Sequence, residues 1–179
     1  MPPKVDPNGE FDLYLRVKGG VALPAQSIAP KVGPYGLNPK MVGDKIMQET
    51  AAQGYKGIKV SIRLHSKQRQ PTVFILPSSS TLIIKALKEG PRSEPKGTAH
   101  THEGTIPFES IIDIAKQLRF KSYSQELSGT VREILGTCHS IGCNVNYNNS
   151  VMHPHDLIEK IQDGEVDVPQ YDAPVDQLA

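Results

Sequence analysis

Cys138, His139, Cys143, His153 and His155 are the residues whose types could do metal chemistry, because thiolate and imidazole are the usual zinc ligands. Their spacing argues against that use. On a helix turning 100° per residue, Cys138 falls at the centre of the apolar face. Cys143 then falls past Gly142 on the opposite side, so two buried or half-buried thiols are the plainer expectation. His153 and His155 bracket a proline and read as a helix start. No metal and no cofactor is expected.

Nucleophile and phosphate-binding signatures are missing. The chain holds no Gly-x-Ser-x-Gly elbow, no Gly-x-x-x-x-Gly-Lys-Ser/Thr loop and no Gly-x-Gly-x-x-Gly after a strand. His65, His100, His102 and His139 have no Ser or Cys partner at a useful spacing, and catalysis is not expected.

The most informative stretch is instead Arg132 to Asn146, REILGTCHSIGCNVN. Val131, Ile134, Leu135, Cys138 and Ile141 share one helix face. The other carries Arg132, Gly136, His139 and Ser140, with Thr137 at its flank. A solvated helix face normally bears long charges, and a glycine inside a helix costs about 1 kcal/mol relative to alanine. Here the outward face is almost bare, with one Arg and one Glu (Arg132 and Glu133) before glycine, histidine and hydroxyls, which suits close approach by another rigid body. A second candidate surface is the Pro/Gly-rich run from Ser27 to Pro39, SIAPKVGPYGLNP, which contains a Gly33-Pro-Tyr-Gly36 turn. Its prolines and glycines predict an irregular backbone rather than a long helix or a central strand.

The elements that position these surfaces follow from hydrophobic periodicity. Leu13, Leu15 and Val17 alternate with polar residues, as do Ile58, Val60, Ile62 and Leu64, and Thr72 to Leu76 supplies a third strand. Asn38 followed by Pro39 starts a helix expected to reach about Gln53 and stop at Gly54. After Leu76 the pattern becomes helical. Ser79 and Ser80 cap a helix through Lys88, residues 89–104 form a long loop, and helices run over 108–120 and 128–141. Residues 144–147 make a short strand beside Thr105 and Ile106, and a last helix begins after His153. The predicted class is α+β with two small domains. Residues 9–76 form an N-terminal α/β layer with an antiparallel-type sheet, and 77–80 a linker. Residues 81–165 form a C-terminal helical bundle with a short two-stranded ribbon, and 166–179 an acidic disordered tail.

Composition bounds the setting. The chain has 179 residues, 37% of them hydrophobic, a mean hydropathy of −0.36 and a net charge of +1. No apolar run approaches the roughly 18 residues of a membrane span. The start lacks a signal or transit pattern, and two cysteines cannot build a disulfide framework, so the cytosol is the expected compartment. Residues 1–76 hold 11 Lys/Arg against 5 Asp/Glu, and residues 77–179 hold 9 against 14. The basic half leans slightly toward a polyanionic partner.

Two segments resemble the ribosomal protein L-eleven family: Ser27–Pro39 its proline-rich segment, and Arg132–Asn146 its C-terminal signature. The chain's start, MPPKVDP, the His153-Pro-His-Asp156 run and Leu82–Lys88 resemble the eukaryotic cytosolic branch. The resemblance spans about residues 1 to 165. It implies a structural protein at the base of the large-subunit stalk, gripping ribosomal RNA in the GTPase-associated centre. Its implied partners are that RNA, acidic stalk proteins and translation elongation factors, without a membrane and without homo-oligomers. By matched position, Gly136, Thr137 and Ser140 lie against RNA, with Arg132 on a phosphate. Ser78, Ser79 and Ser80 form a helix-start phosphate site, and Lys88, Arg92 and Lys96 contact phosphates from the loop. Pro30, Gly33, Pro34 and Gly36 face RNA and factors. Pro2 and Lys4 fit the family's N-terminal methylation after removal of Met1. The loop carries fewer lysines than eukaryotic relatives have, which predicts a shallower salt dependence. The residue-level alternative is a protein-interaction adaptor that recruits partners through the Pro/Gly segment and tail without RNA.

Overall fold

The computed structural model describes residues 9–68, 70–89, 102 and 104–170. Arg92, Lys96, Pro2, Lys4, most of the 89–104 loop and the end of the acidic tail lie outside these residues. The chain divides into two compact units, residues 1–81 and 82–179.

In the first unit, β1 (Phe11–Lys18), β2 (Lys59–Lys67) and β3 (Gln70–Leu76) form an antiparallel sheet in that order. The alternation read from the sequence fixes its inner face: Leu15, Val60, Ile62 and Leu64 are buried. Against them pack α1 (Ala25–Val32) and α2 (Pro39–Ala52), through Ile28, Val32, Val42 and Ile46. The Asn38 side chain accepts from the Lys40 amide at 3.0 Å, so α2 begins as its Asn-Pro signal requires.

The Pro/Gly-rich segment departs from expectation. Residues 25–32 are helical with Pro30 inside, and Gly33–Tyr35 add a 3-10 turn closed by a left-handed Gly36. Proline removes one helix hydrogen bond, but Ile28 and Val32, one turn apart, are both buried. Tertiary burial outweighs the local signal. Tyr35 stacks on Phe11 at 4.3 Å, which holds the turn to the sheet.

The second unit packs α4 (Phe108–Leu118), α5 (Leu127–Ile141) and α6 (Pro154–Gln162) around a core that includes Ile111, Ile134, Leu135 and Leu157. β4 (Thr105–Pro107) pairs with β5 (Asn144–Tyr147), as predicted, and the pairing is parallel. The ribbon gains a third strand, β6 (Ser150–Met152), antiparallel to β5. Asn148 and Asn149 both take positive φ, 51° and 60°, the geometry of a two-residue hairpin turn. The 146–152 stretch is therefore a hairpin.

α3 (Ser79–Leu87) contains the boundary between the units. Its cap is not Ser79 or Ser80, which are its first helical residues. Ser78 Oγ accepts from the Thr81 amide at 3.3 Å instead. Lys88 follows the helix in a left-handed conformation rather than ending it. The acidic tail is also corrected at its beginning. Val166 is buried and Val168 half-buried on the second core, because alternating valines after Gly164 offer it one apolar edge.

Candidate nucleic-acid interface

α5 carries its apolar stripe inward as predicted: Leu127, Val131, Ile134, Leu135 and Cys138 are buried. Gly136, His139 and Ser140 are exposed on the opposite side, with Arg132 and Thr137 half-buried beside them. Arg132, Gly136 and Ser140 sit four residues apart and form one stripe along the helix.

The decisive feature is Gly136. A Cβ added there meets nothing within 4 Å, so nothing in the described fold asks for a glycine. Gly129 on the same helix is the internal contrast, since Ser124 fills the space its Cβ would need. The hydroxyls beside Gly136 are held in place. Thr137 Oγ1 donates to the Glu133 carbonyl at 3.1 Å, and Ser140 Oγ donates to the Thr137 carbonyl at 2.8 Å. Each hydroxyl proton is thus spent on the helix, which leaves the oxygens with lone pairs able to accept. At the head of the stripe, Arg132 Nε is buried with no hydrogen-bond partner among the described residues.

The loop before α5 is fixed by Arg119, whose Nη1 donates to the Ser124 carbonyl at 2.6 Å and whose Nη2 donates to that of Gln125. Nothing in the sequence marked Arg119 for this. Beyond Ser140, His139 meets His153 edge-on at 5.0 Å, so the N-terminus of α6 adjoins the end of the stripe. His153 Nδ1 accepts from the His155 amide at 3.3 Å and caps α6, as the His-Pro-His run suggested.

The cysteines are differently arranged from the helical projection. Gly142 reverses the chain with φ 85°, and the Cys143 amide and thiol both bond to the Cys138 carbonyl, at 3.1 and 3.5 Å. Cys143 is therefore folded back into the core beside Cys138 rather than on the opposite side, and both are buried free thiols. A hydrogen bond between the two sulfurs and burial push the Cys138 thiol well up. Among the described residues, no three His, Cys, Asp or Glu side chains converge as a metal site would require.

The remaining candidates lie apart in the chain. Lys88 is exposed in the second unit. Ser78 to Ser80 belong to the first unit, where Ser78 Oγ bonds Ser80 and Thr81 at 3.1 and 2.8 Å and is occupied by its own helix start. Pro30, Gly33, Pro34 and Gly36 are all exposed, and a Cβ on Gly33 or Gly36 would meet nothing within 4 Å.

Two family descriptions match the chain: "Ribosomal protein L11, N-terminal domain" over residues 13–70 and "Ribosomal protein L11, RNA binding domain" over residues 75–145. Large ribosomal subunit protein uL11z of Arabidopsis thaliana is 47% identical over 170 residues, covering 95% of this chain and 99% of that protein. The uL11A proteins of Saccharomyces cerevisiae and Schizosaccharomyces pombe are 45% and 44% identical with the same coverage. With both family domains matched in order and relatives aligned along nearly its full length, the chain belongs to the ribosomal protein L11 family.

Proposed function

We propose that this chain is a structural constituent of the large ribosomal subunit that binds large-subunit ribosomal RNA through the outward face of α5. The observation that carries the reading is Gly136: a helix-interior glycine, about 1 kcal/mol unfavourable, over open space. A folded RNA pressed against the helix backbone accounts for it. The fixed hydroxyls of Thr137 and Ser140 then accept from 2′-hydroxyls or base edges, and the half-buried Arg132 at the head of the stripe pairs with a phosphate. The family membership and the RNA-binding description of residues 75–145 support the same assignment.

The finer reading places this contact in the GTPase-associated centre at the base of the stalk. Residues 81–165 grip the RNA, with Ser78 to Ser80, Lys88, Arg92 and Lys96 adding phosphate contacts. The surface of Pro30, Gly33, Pro34 and Gly36 faces RNA and elongation factors, and acidic stalk proteins assemble nearby. The protein acts in the cytosolic ribosome as a single, non-catalytic copy, with Pro2 and Lys4 as methylation positions. Gly33, exposed over open space and with an ordinary φ of −57°, supports a close-approach surface there as well, whereas Gly36 is required by its own left-handed turn.

Filter binding of the full chain to a folded GTPase-centre RNA fragment tests this, with a scrambled RNA of equal length as control. Gly136→Gln should keep the fold and weaken binding at least about tenfold, about 1.4 kcal/mol. Unchanged affinity would remove α5 as the binding face. Equal affinity for the scrambled RNA would reduce the contact to unspecific charge and favour the adaptor reading.

A further inference from the structure

From the outer face of the N-terminal sheet we infer that the chain has a second RNA site, one that takes an unpaired segment by stacking bases on Tyr14 and Phe74. The strand register puts Tyr14, Arg63 and Phe74 in one row across β1, β2 and β3. Adjacent strands lie about 4.8 Å apart, so the two aromatic positions stand about 10 Å apart with Arg63 between them in the row. Tyr14 is 66% and Phe74 50% exposed. Single exposed aromatics are ordinary. Two in register on either side of an arginine offer ring faces to one partner, and every base has a face that can stack on an aromatic ring.

The charges beside the row point to a polyanion. Asp12 is engaged by Arg63 and His65, both at 2.8 Å, and Glu10 by Lys67 at 2.6 Å. That leaves Arg16, Lys18 and Lys59 without an acidic partner among the described residues. Lys18 and Lys59 stand directly opposite each other in the register, both exposed. Like charges so placed destabilise a sheet, and the fold itself draws nothing from them. Arg16 follows Tyr14 on the same face, about 7 Å along the strand, within one nucleotide's reach of the row.

These features select the occupant. A duplex would offer phosphates but keep its bases stacked away from the rings. An acidic peptide would satisfy the lysines and leave the rings uncovered. A second copy would bring like charge to like charge. An unpaired RNA uses both parts at once, with bases on the rings and phosphates on Arg16, Lys18 and Lys59.

The site is independent of α5, and the test separates them. Binding of oligouridine to the full chain is measured by fluorescence anisotropy in a Gly136→Gln background, with polyglutamate of equal length as competitor. Tyr14→Ala and Phe74→Ala should each weaken binding about five- to a hundredfold, while Tyr14→Phe, which keeps the ring, should bind as the parent does. Lys18→Gln with Lys59→Gln should flatten the salt dependence. Both rings are on the surface, so unchanged melting confirms that folding is not being measured. Full affinity in the Tyr14→Ala/Phe74→Ala double variant would overturn the site, as would competition by polyglutamate as effective as that by unlabelled oligouridine.

Discussion

Ser124 Oγ occupies the space that a side chain on Gly129 would need, whereas Gly136, two helical turns later on α5, faces open space. The fold therefore accounts for Gly129 and does not account for Gly136, which the proposed function assigns to a partner. Ser124 cannot easily yield, because its hydroxyl donates to the Glu126 carbonyl at 2.7 Å and Arg119 holds its carbonyl. Gly136→Ala should stabilise the free protein by up to about 1 kcal/mol. Gly129→Ala should destabilise it by about 1–2 kcal/mol, the overpacking cost exceeding the helix gain. Urea denaturation of the two variants checks this, and equal shifts would remove the distinction on which the interface assignment rests.

A second expectation concerns acid. Hydrogen bonds from Arg63 and then His65 hold the Asp12 carboxyl below its ordinary value, and Lys67 does the same for Glu10. A carboxyl lowered in the folded state binds fewer protons there than in the unfolded chain. Its contribution is full above the unfolded carboxyl range near pH 4 and is lost as pH falls through the folded value. Both groups lie at the surface, so the effect is small and shrinks with salt. Thermal melts at low ionic strength should show the wild type losing stability more steeply than Asp12→Asn below about pH 4. Parallel curves would show that the pair is not formed in solution.

Thiol chemistry gives a third. Cys138 and Cys143 are 0% and 1% exposed; the Cys138 thiol is held protonated by its hydrogen bond to Cys143 and by burial, while the same bond lowers the Cys143 thiol, whose protection therefore rests on burial. Reactivity follows thiolate fraction and access. In the native protein neither cysteine should react with an aromatic disulfide reagent at pH 8 on the timescale of minutes, and both should react at once in guanidinium. Rapid native labelling of either would contradict the folded-back position of Cys143.

The sequence made regular elements legible where two local signals agreed. Leu13, Leu15 and Val17 alternated in a strand bounded by glycines, and Asn38-Pro39 announced a cap that the Lys40 amide satisfies. It failed where a distant contact overrode a local signal. Pro30 spoke against a helix that Ile28 and Val32 stabilise from the core. Cys143 was projected along a helix that Gly142 had already ended. The bare face of α5 could be read because it lies on one continuous element. The Tyr14–Arg63–Phe74 row could not, since it exists only in the pairing of three strands separated by up to sixty residues.

The packed start of the C-terminal segment carries the last prediction. Gly164 takes φ 78°, and the Glu165 amide donates to the Lys160 carbonyl at 2.9 Å, which turns the chain back after α6. Val166, 5% exposed, then joins the core of Leu127 and Ile161, with Val168 against its edge. Burying a valine is worth about 1.5–2 kcal/mol, and closing a six-residue segment offsets part of that. Removal of residues 171–179 serves as the reference, and removal of 166–179 should lower stability below it by about 1–2 kcal/mol. Val166→Ala should reproduce much of the second loss without shortening the chain, since it empties the same position at the N-terminal end of α5. Equal stability of the two truncated chains would mean that the segment is as loose as its acidic composition first implied.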